Sequence, residues 1–143
     1  MLRALTLVLF GFTFGLAGAS CKVGNMEGSC ASGETCECDM TAGNCKQTCN
    51  GGKCTMKCGG MGNCEFHCED GGCDITSTVT GNLTVACTGG GCKVSSSGTG
   101  NTIVNCQGGN CELACSGTGN CQMLDCKEGC KANCTGTSNC KNG

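Results

Sequence analysis

The sequence has few of the residues that fill an ordinary hydrophobic core. It contains no tryptophan, tyrosine or proline, and its four phenylalanines make up the 3% of aromatic residues. Phe10, Phe12 and Phe14 lie in the first 20 residues, which leaves Phe66 as the one aromatic residue of the remainder. Such a chain cannot bury enough apolar surface to offset the entropy of folding, so a covalent contribution must replace the missing burial.

Charge is also scarce and evenly mixed. Only 14% of the residues are charged, the formal net charge is −2, and both signs are scattered along the chain. Proteins that bind nucleic acid usually carry a basic stripe, often with aromatic residues that stack on bases. We therefore expect no nucleic-acid partner.

The N-terminus has the layout of a secretory signal peptide. Arg3 supplies a positive start, Ala4 to Leu16 is an uncharged apolar run, and the small residues Ala17 to Ser20 close it. The run is too short for a mature transmembrane helix, and no second apolar run follows. Residues 1–20 are thus predicted to be a signal peptide, removed on export.

All 21 cysteines lie in the 123 residues that remain after residues 1–20. About one residue in six of an exported chain is then cysteine, which is typical of a disulfide scaffold. This density predicts an extracellular or cell-surface protein held together by disulfide bonds.

An internal repeat organises the whole mature chain. Every spacing is 19 residues in a series of seven asparagines: Asn25, Asn44, Asn63, Asn82, Asn101, Asn120 and Asn139. Six full units follow a half repeat, or N-terminal cap, at residues 21–29: 30–48, 49–67, 68–86, 87–105, 106–124 and 125–143. A fixed period of this length is the signature of a repeat architecture, here over residues 30–143.

Within each unit, two short runs alternate between apolar and polar residues. Cys92 to Ser96 and Thr102 to Cys106 are examples, and Gly-rich turns separate them. Period-two alternation between glycine turns predicts half-buried strands. The expected fold is all-β: a disulfide-stapled β-solenoid of about six coils, with two short strands per 19-residue coil.

The solenoid should have a thin apolar seam along its axis. Counting from the first residue of each unit, positions 8 and 18 carry the inward side chains. These residues are Met56, Ile75, Val94, Leu113 and Ala132 at position 8, and Gln47, Phe66, Val85, Val104 and Met123 at position 18.

Joint losses within the repeat indicate which cysteines pair. Positions 10 and 16 are both cysteine in three units, and in the two middle units both are lost together. Direct partners would be lost in this way, so we pair position 10 with 16 and position 1 with 6. The expected disulfides are Cys30–Cys36, Cys38–Cys45, Cys49–Cys54, Cys58–Cys64, Cys68–Cys73, Cys87–Cys92, Cys106–Cys111, Cys115–Cys121, Cys126–Cys130 and Cys134–Cys140.

The Gly-Asn pairs that mark the repeat predict tight turns. Glycine and asparagine tolerate positive φ better than other residues, so we expect left-handed backbone there. Stacked asparagine side chains could also form a ladder of hydrogen bonds from one coil to the next. Neither interpretation requires a ligand.

Cys21 is the cysteine left over after this pairing. It follows Ala17-Gly18-Ala19-Ser20 directly, and in this respect residues 1–21 resemble a bacterial lipoprotein signal, although Gly18 stands where leucine is usual. The resemblance implies that Cys21 is the lipidated first residue of the mature chain, attached to a membrane. The alternative is ordinary cleavage near Ala19, with Cys21 as a free thiol or in a thiol-linked dimer; end-to-end association of coils is a further route to self-association.

The repeat body resembles Cys/Gly-rich repeat proteins of unassigned role in bacterial secretomes. The segments that carry this likeness are Gly100 to Val104 and Gly108 to Cys111. In architecture the repeat is also similar to the disulfide-laddered antifreeze solenoids of insects. The first likeness implies only an exported solenoid, and the second raises ice binding as an alternative function.

Two outward columns of side chains argue against an ice-binding surface. Position 7 is read as Glu37, Thr55, Asp74, Lys93, Glu112 and Lys131, and position 17 as Glu27, Lys46, Glu65, Thr84, Ile103, Gln122 and Lys141. Alternating charges suit a solvated surface with cross-strand pairs.

Metal binding and catalysis find little support in the sequence. Cys36 and Cys38 form its one Cys-x-Cys, no Cys-x-x-Cys occurs, and the turns offer Asn and Thr where calcium-binding solenoids need Asp. His67 is the single histidine, with Glu69 and Asp70 after it and no nucleophile matched to it. We expect no enzyme, cofactor or metal, but an exported structural, spacer or adhesive solenoid, with a cysteine-rich metal-binding protein as a weaker alternative.

Overall fold

The computed structural model describes residues 25–135 and 137–142, and this part of the chain is all-β. The predicted signal peptide at residues 1–20 and Cys21 lie outside the described residues. Among the described residues, no helix is long and apolar enough to span a membrane. The thirteen strands are β1 (Met26–Ala31), β2 (Thr35–Met40), β3 (Asn44–Asn50), β4 (Thr55–Gly60), β5 (Asn63–Cys68), β6 (Asp74–Ser77), β7 (Leu83–Ala86), β8 (Lys93–Ser96), β9 (Thr102–Asn105), β10 (Glu112–Cys115), β11 (Asn120–Leu124), β12 (Lys131–Cys134) and β13 (Asn139–Asn142).

Two parallel sheets face each other along the molecule. The odd-numbered strands form a seven-stranded sheet, here the odd sheet, and the even-numbered strands form a six-stranded one, the even sheet. Each strand therefore pairs with strands one coil away, while the chain alternates between the sheets. This arrangement confirms the predicted β-solenoid with two strands per coil.

The strand register follows the 19-residue period over almost the whole chain. On the odd sheet Asn44 lies beside Asn63, and Thr84 lies beside Ile103. On the even sheet Leu113 lies between Val94 and Ala132. Side chains at one position therefore form straight columns perpendicular to the strands.

The first coil departs from this period on the even sheet. Thr35 pairs with Thr55 and Glu37 with Lys57, an offset of 20 residues. The turn before β2 is one residue shorter than in the next coil, and the turn after β2 is one residue longer. The assignment of Glu37 to position 7 beside Thr55 was therefore wrong, because Glu37 belongs to the column of Lys57, whose Nζ lies 2.8 Å from its carboxylate.

The core is the predicted seam together with the cysteines that flank it. Strand residues alternate between buried and exposed, as in β6 and β8. Phe66, Val85 and Val104 are fully buried on the odd sheet, and Met56 is fully buried on the even sheet. The seam weakens at its ends, where Gln47 and Ala132 are half-buried.

Ten disulfide bonds close the turns at both sides of the coils. They join the ten pairs expected from the sequence, with Cα–Cα distances from 5.7 to 6.6 Å. Such short distances hold the two sheets together at the turns that carry a disulfide, well below the ~10 Å usual between packed sheets. In one of the two coils that lack the pair at positions 10 and 16, the Thr102 hydroxyl donates a buried hydrogen bond of 2.7 Å to Ser96 Oγ.

The Gly-Asn turns owe their glycines to close packing between coils more than to positive φ. Gly43 and Gly62 have φ of 132° and 140°, but Gly81 and Gly100 lie outside the left-handed region, and so do the ladder asparagines. A Cβ on Gly100 would collide with the carbonyl of Gly81 in the preceding coil. The expectation of left-handed backbone was therefore only partly right, since a side chain is excluded here by the neighbouring backbone.

Candidate functional site

The outer face of the odd sheet carries the ladder of asparagines. Asn63 Nδ2 donates to Asn44 Oδ1 at 2.9 Å, and Asn44 Nδ2 donates to Asn25 Oδ1 at 3.1 Å. The same pattern continues from Asn101 to Asn139. Because these amides bond to one another, the ladder ties neighbouring coils together and is a structural feature of the turn.

Beside the ladder runs the mixed-charge column of position 17. Lys46 Nζ lies 3.5 Å from a Glu65 carboxylate oxygen, and His67 Nε2 lies 2.6 Å from the same oxygen. The His67 hydrogen bond is the main cause that lowers the pKa of Glu65 below its ordinary 4.5, with a further contribution from the charge of Lys46. His67 thus pairs with Glu65 on its own strand, whereas the sequence had drawn attention to Glu69 and Asp70.

A shallow depression of about 450 Å³ lies between this column and the asparagine ladder. Glu27, Lys46 and Glu65 line one side of it, and Asn44 and Asn63 line the other. Lys46 pairs with Glu65, and the two asparagines bond to each other, so the depression offers a solvated mixed-charge surface.

The outer face of the even sheet is different from the third coil onward. Three outward columns, at positions 9, 11 and 13, hold small uncharged residues in four successive coils, and all twelve are exposed. We call this surface the hydroxyl face, because ten of its twelve residues are serine or threonine. It consists of Thr76, Thr78, Thr80, Ser95, Ser97, Thr99, Ala114, Ser116, Thr118, Asn133, Thr135 and Thr137.

Backbone hydrogen bonds keep the hydroxyl face in register beyond the ends of the strands. Ser97 N donates to Ser77 O at 2.9 Å, and Thr99 N donates to Val79 O at 3.2 Å. Neighbouring residues of one column are thus one strand apart, ~4.8 Å, and the columns of positions 9 and 11 are two residues apart, ~6.6 Å. The column of position 13 lies in the bend or turn that follows the strand. The result is three parallel columns of hydroxyl and methyl groups.

Many hydroxyls of this face are unused by the protein. Within the described part of the chain, seven of them make no hydrogen bond to protein. They belong to Thr76, Thr78, Ser95, Ser97, Ser116, Thr118 and Thr137. These groups can donate to and accept from an external layer without breaking any bond within the fold.

A shallow trough runs between the columns of positions 9 and 11. One part, of about 250 Å³, lies among Thr76, Ser95, Ser97 and Ser116. A second part, of about 290 Å³, extends it to the first two coils, where Glu37 and Lys57 line it. The uncharged array therefore has a charged border at its N-terminal end.

Sequence reasoning missed the hydroxyl face because it assigned positions 11 to 13 to a turn and examined positions 7 and 17. The signal was present in Thr76 to Thr80 and in Ser95 to Thr99, which repeat hydroxyl residues at alternate places. Pairing between coils continues through this segment, and for that reason its side chains form columns.

The cysteines are held in bonds that exclude metal ligation in the oxidised protein. The sulfur atoms of Cys49, Cys54 and Cys73 lie within 4.8 Å of one another, as do those of two similar groups. Yet all twenty described cysteines are in disulfides, and a metal ligand must be a thiolate.

Comparison with known proteins finds no matching family model, no matching curated protein and no matching solved structure. The geometry of the chain itself must therefore carry any functional conclusion.

Proposed function

We propose that the chain is an exported, non-enzymatic scaffold protein, a rigid disulfide-stapled rod with a structural, spacer or adhesive role outside the cell. One observation carries the proposal: the described coils are closed by ten disulfides, each within a single coil or turn. Disulfides at this density persist in oxidising compartments, which favours an extracellular location.

The stapled coils favour a mechanical or presenting role. The turn disulfides fix the two sheets at both sides in most coils and at one side in the two middle coils, and the ladders of hydrogen bonds fix neighbouring coils. Loops of this size are closed at low entropic cost, so each bond contributes about 2 kcal/mol in the chain-entropy model. A fold built in this way holds its outward columns at constant spacing.

Attachment to a membrane through Cys21 is part of this proposal. With the other twenty cysteines paired, Cys21 is the odd cysteine of the chain, and it follows the small residues that end the signal. Lipidation of Cys21 accounts for both its place and the odd number of cysteines in the chain. Free secretion, with Cys21 as a thiol or in a linked dimer, is the competing arrangement.

Export and anchoring can be tested together in a bacterial host that processes lipoproteins. The full chain should enter the membrane fraction with a mature mass that begins at Cys21 and includes acyl chains. Cys21→Ser should move the protein to the soluble exported fraction, whereas Ser20→Ala should leave it in the membrane. An unmodified mature mass beginning at Ser20 would contradict the anchor, and a chain that stays in the cytoplasm with residues 1–20 attached would contradict export.

The hydroxyl face favours ice binding as a second candidate function. An ice surface presents water oxygens in a fixed array without net charge. A matching protein surface needs uncharged donors and acceptors at constant spacing, as the columns that contain Thr78, Ser97 and Ser116 provide. Of the charged columns that argued against ice binding, that of position 17 lies on the odd sheet, and that of position 7 borders the hydroxyl face along the even strands, beside the column of position 9.

The rigidity of the hydroxyl face also supports ice binding. Binding to a lattice loses affinity when side chains and loops must first be ordered. Here the column of position 9 stands on paired strands, and backbone hydrogen bonds between coils hold the other two columns. Thr80 and Thr99 are further fixed by hydrogen bonds of 3.3 Å from their hydroxyls to backbone carbonyls one coil away. Threonine also adds a β-branched methyl group with a restricted χ1.

Thermal hysteresis and inhibition of ice recrystallisation test this candidate with matched lysine variants. Ser97→Lys places a charge in the middle of the hydroxyl face and should abolish most of either activity. Thr84→Lys places the same side chain at an exposed strand position of the odd sheet and should leave both activities unchanged. Wild-type protein without either activity, or equal losses in both variants, would remove ice binding from consideration.

A further inference from the structure

Two of the twelve asparagines begin an Asn-x-Thr tripeptide: Asn82-Leu83-Thr84 and Asn133-Cys134-Thr135. This tripeptide is the acceptor sequence for N-linked glycans in secreted proteins. We propose that Asn82 and Asn133 are N-glycan acceptor sites, used when the chain enters a secretory pathway that contains an oligosaccharyl transferase. The inference rests on the export proposed above, in the arrangement in which the chain is freely secreted.

Asn82 differs from the other ladder asparagines in the way that an acceptor requires. Its backbone N donates to Asn63 Oδ1 at 2.9 Å, but its Nδ2 donates to no protein group in the described part of the chain. Asn63 and Asn101, one coil away on each side, both donate their Nδ2 to the preceding asparagine. Asn82 Nδ2, the atom to which a glycan would be attached, is therefore free within the ladder.

A glycan on Asn82 is also compatible with the bonds that Asn82 does make. Asn82 Oδ1 accepts hydrogen bonds from Asn101 N at 3.1 Å and from Asn101 Nδ2 at 3.3 Å. Glycosylation replaces a hydrogen on Nδ2 and leaves Oδ1 as an acceptor. The link between the two coils is thus retained in the modified protein.

Asn133 has an equally open position. It lies on β12, an outer strand of the even sheet, and its exposed side chain makes no hydrogen bond within the described residues. Among the described strands β12 is the last of the even sheet, with β10 as its one neighbour, so within this part of the chain a bulky group meets a neighbouring strand on one side. Alternation places Asn133 and Thr135 outward, as it does Asn82 and Thr84, while Leu83 and Cys134 point toward the core.

The reaction is a group transfer from a lipid-linked diphospho-oligosaccharide, which the transferase supplies. A bond forms between Nδ2 of the asparagine and C1 of the first sugar, and the bond between C1 and the diphosphate oxygen breaks. The lipid diphosphate leaves with the electron pair of the broken bond, and the amide nitrogen releases one proton to the solvent. No oxidant or reductant takes part.

The test is the intact mass of protein secreted from a eukaryotic host, before and after treatment with a peptide:N-glycosidase. Two forms are compared: the full chain, and a chain in which a host leader replaces residues 1–20. If only the second form is secreted, the native signal does not work in this host. If the second form is secreted without glycans, the acceptor sites are not used. We expect two glycans on the secreted wild type. The peptide:N-glycosidase should remove both and convert Asn82 and Asn133 to aspartate.

Matched variants assign the sites. Asn82→Gln and Asn133→Gln should each remove one glycan, and so should Thr84→Ala and Thr135→Ala, which keep the asparagine. Asn101→Gln changes a ladder residue outside any acceptor tripeptide and should leave both glycans. Secreted wild type of unmodified mass overturns the proposal, and a single glycan overturns it for the site whose variants leave the mass unchanged.

Discussion

At the scale of single residues, the glycine before each ladder asparagine shows how tightly the coils stack. Gly81, Gly100 and Gly119 each lie so close to the preceding coil that a Cβ would overlap a backbone carbonyl there. Alanine can adopt their φ, so conformational preference does not explain the choice. The repeat retains glycine because the parallel strands can approach only when that place is empty.

Gly100→Ala should therefore lower the thermal stability of the protein. Overpacking against a fixed backbone typically costs 1–3 kcal/mol, roughly the value we expect here. Gly59→Ala is the matched control, because a Cβ on Gly59 would meet Thr78 Oγ1 at 3.4 Å and Asp39 Oδ1 at 3.8 Å, ordinary contact distances. Melting curves of the oxidised variants would contradict the packing argument if both substitutions had the same effect.

Glu65 gives a second prediction at the residue scale, from its lowered pKa. A carboxyl whose folded pKa lies below its unfolded value stabilises the protein above the unfolded pKa. That contribution is lost as the pH falls from about 4.5 through the folded pKa of Glu65. Because Glu65 is solvent-exposed, the effect on stability is small, and NMR titration of its side chain is the direct measurement.

His67→Ala should move the titration midpoint of Glu65 upward, toward its ordinary value, because the hydrogen bond from His67 is the main cause of the shift. Lys46→Ala should have a smaller effect in the same direction. A midpoint that does not move in the His67 variant would show that the pair at 2.6 Å does not persist in solution.

At the scale of the elements, the middle coils differ from the others in their closure. The coil that contains β8 and β9 has one disulfide, Cys87–Cys92, and a single hydrogen bond between Ser96 and Thr102 at its other turn. The coil that contains β10 and β11 has disulfides at both turns, Cys106–Cys111 and Cys115–Cys121. After the loss of one disulfide, the coil that contains β8 and β9 keeps no disulfide, whereas the coil that contains β10 and β11 keeps one.

The double variant Cys87→Ser/Cys92→Ser should therefore be less stable than Cys115→Ser/Cys121→Ser. Removing a native disulfide from a small secreted domain typically costs 2–5 kcal/mol. We expect the first variant at the upper end of this range, because its coil keeps no covalent closure. Equal melting temperatures, or the reverse order, would count against this account of coil stability.

The strands and the disulfides that close the coils could be predicted from the sequence, because the 19-residue period determines both. The spacing of the asparagines fixes which residues stack, and the paired losses at Ser77/Leu83 and Ser96/Thr102 identify the partners. The 20-residue offset at Glu37 could not be found in this way, since one turn loses a residue and the next gains one. The shorter turn before β2 and the longer turn after it together place Met40 in the interior, where it is buried. Only the three-dimensional packing shows this.

The candidate site was less predictable than the fold. The hydroxyl columns extend past the ends of the even strands, and whether a turn segment stays in register depends on backbone bonds such as Thr80 N to Gly60 O, at 3.0 Å. The free Nδ2 of Asn82 likewise depends on the orientation of one amide within an otherwise uniform ladder. Composition and spacing carry no information on either point.

At the scale of the whole molecule, stability rests on covalent closure. The seam contains a single aromatic side chain, and natural domains are stable by only about 5–15 kcal/mol. Ten disulfides, at even a fraction of their usual contribution, exceed that margin. The reduced chain should therefore be unfolded at room temperature.

Far-UV circular dichroism with and without a phosphine reductant checks this expectation. The oxidised protein should keep its β signal to high temperature and resist proteases, and the reduced protein should lose both properties. The corresponding phosphine oxide, which cannot reduce disulfides, is the control. A β signal that survives complete reduction would mean that the apolar seam alone holds the fold.

The disulfides have one more consequence, for the gene that encodes the rod. Partner cysteines are 4 to 7 residues apart in sequence, and none of the ten bonds joins two different coils. Recombination between repeats that removes or duplicates 19 codons therefore carries whole cysteine pairs with it when the breakpoint falls outside the segment between positions 10 and 16. Alleles of different length can arise in single steps, each encoding a shorter or longer rod in which no cysteine has lost its partner.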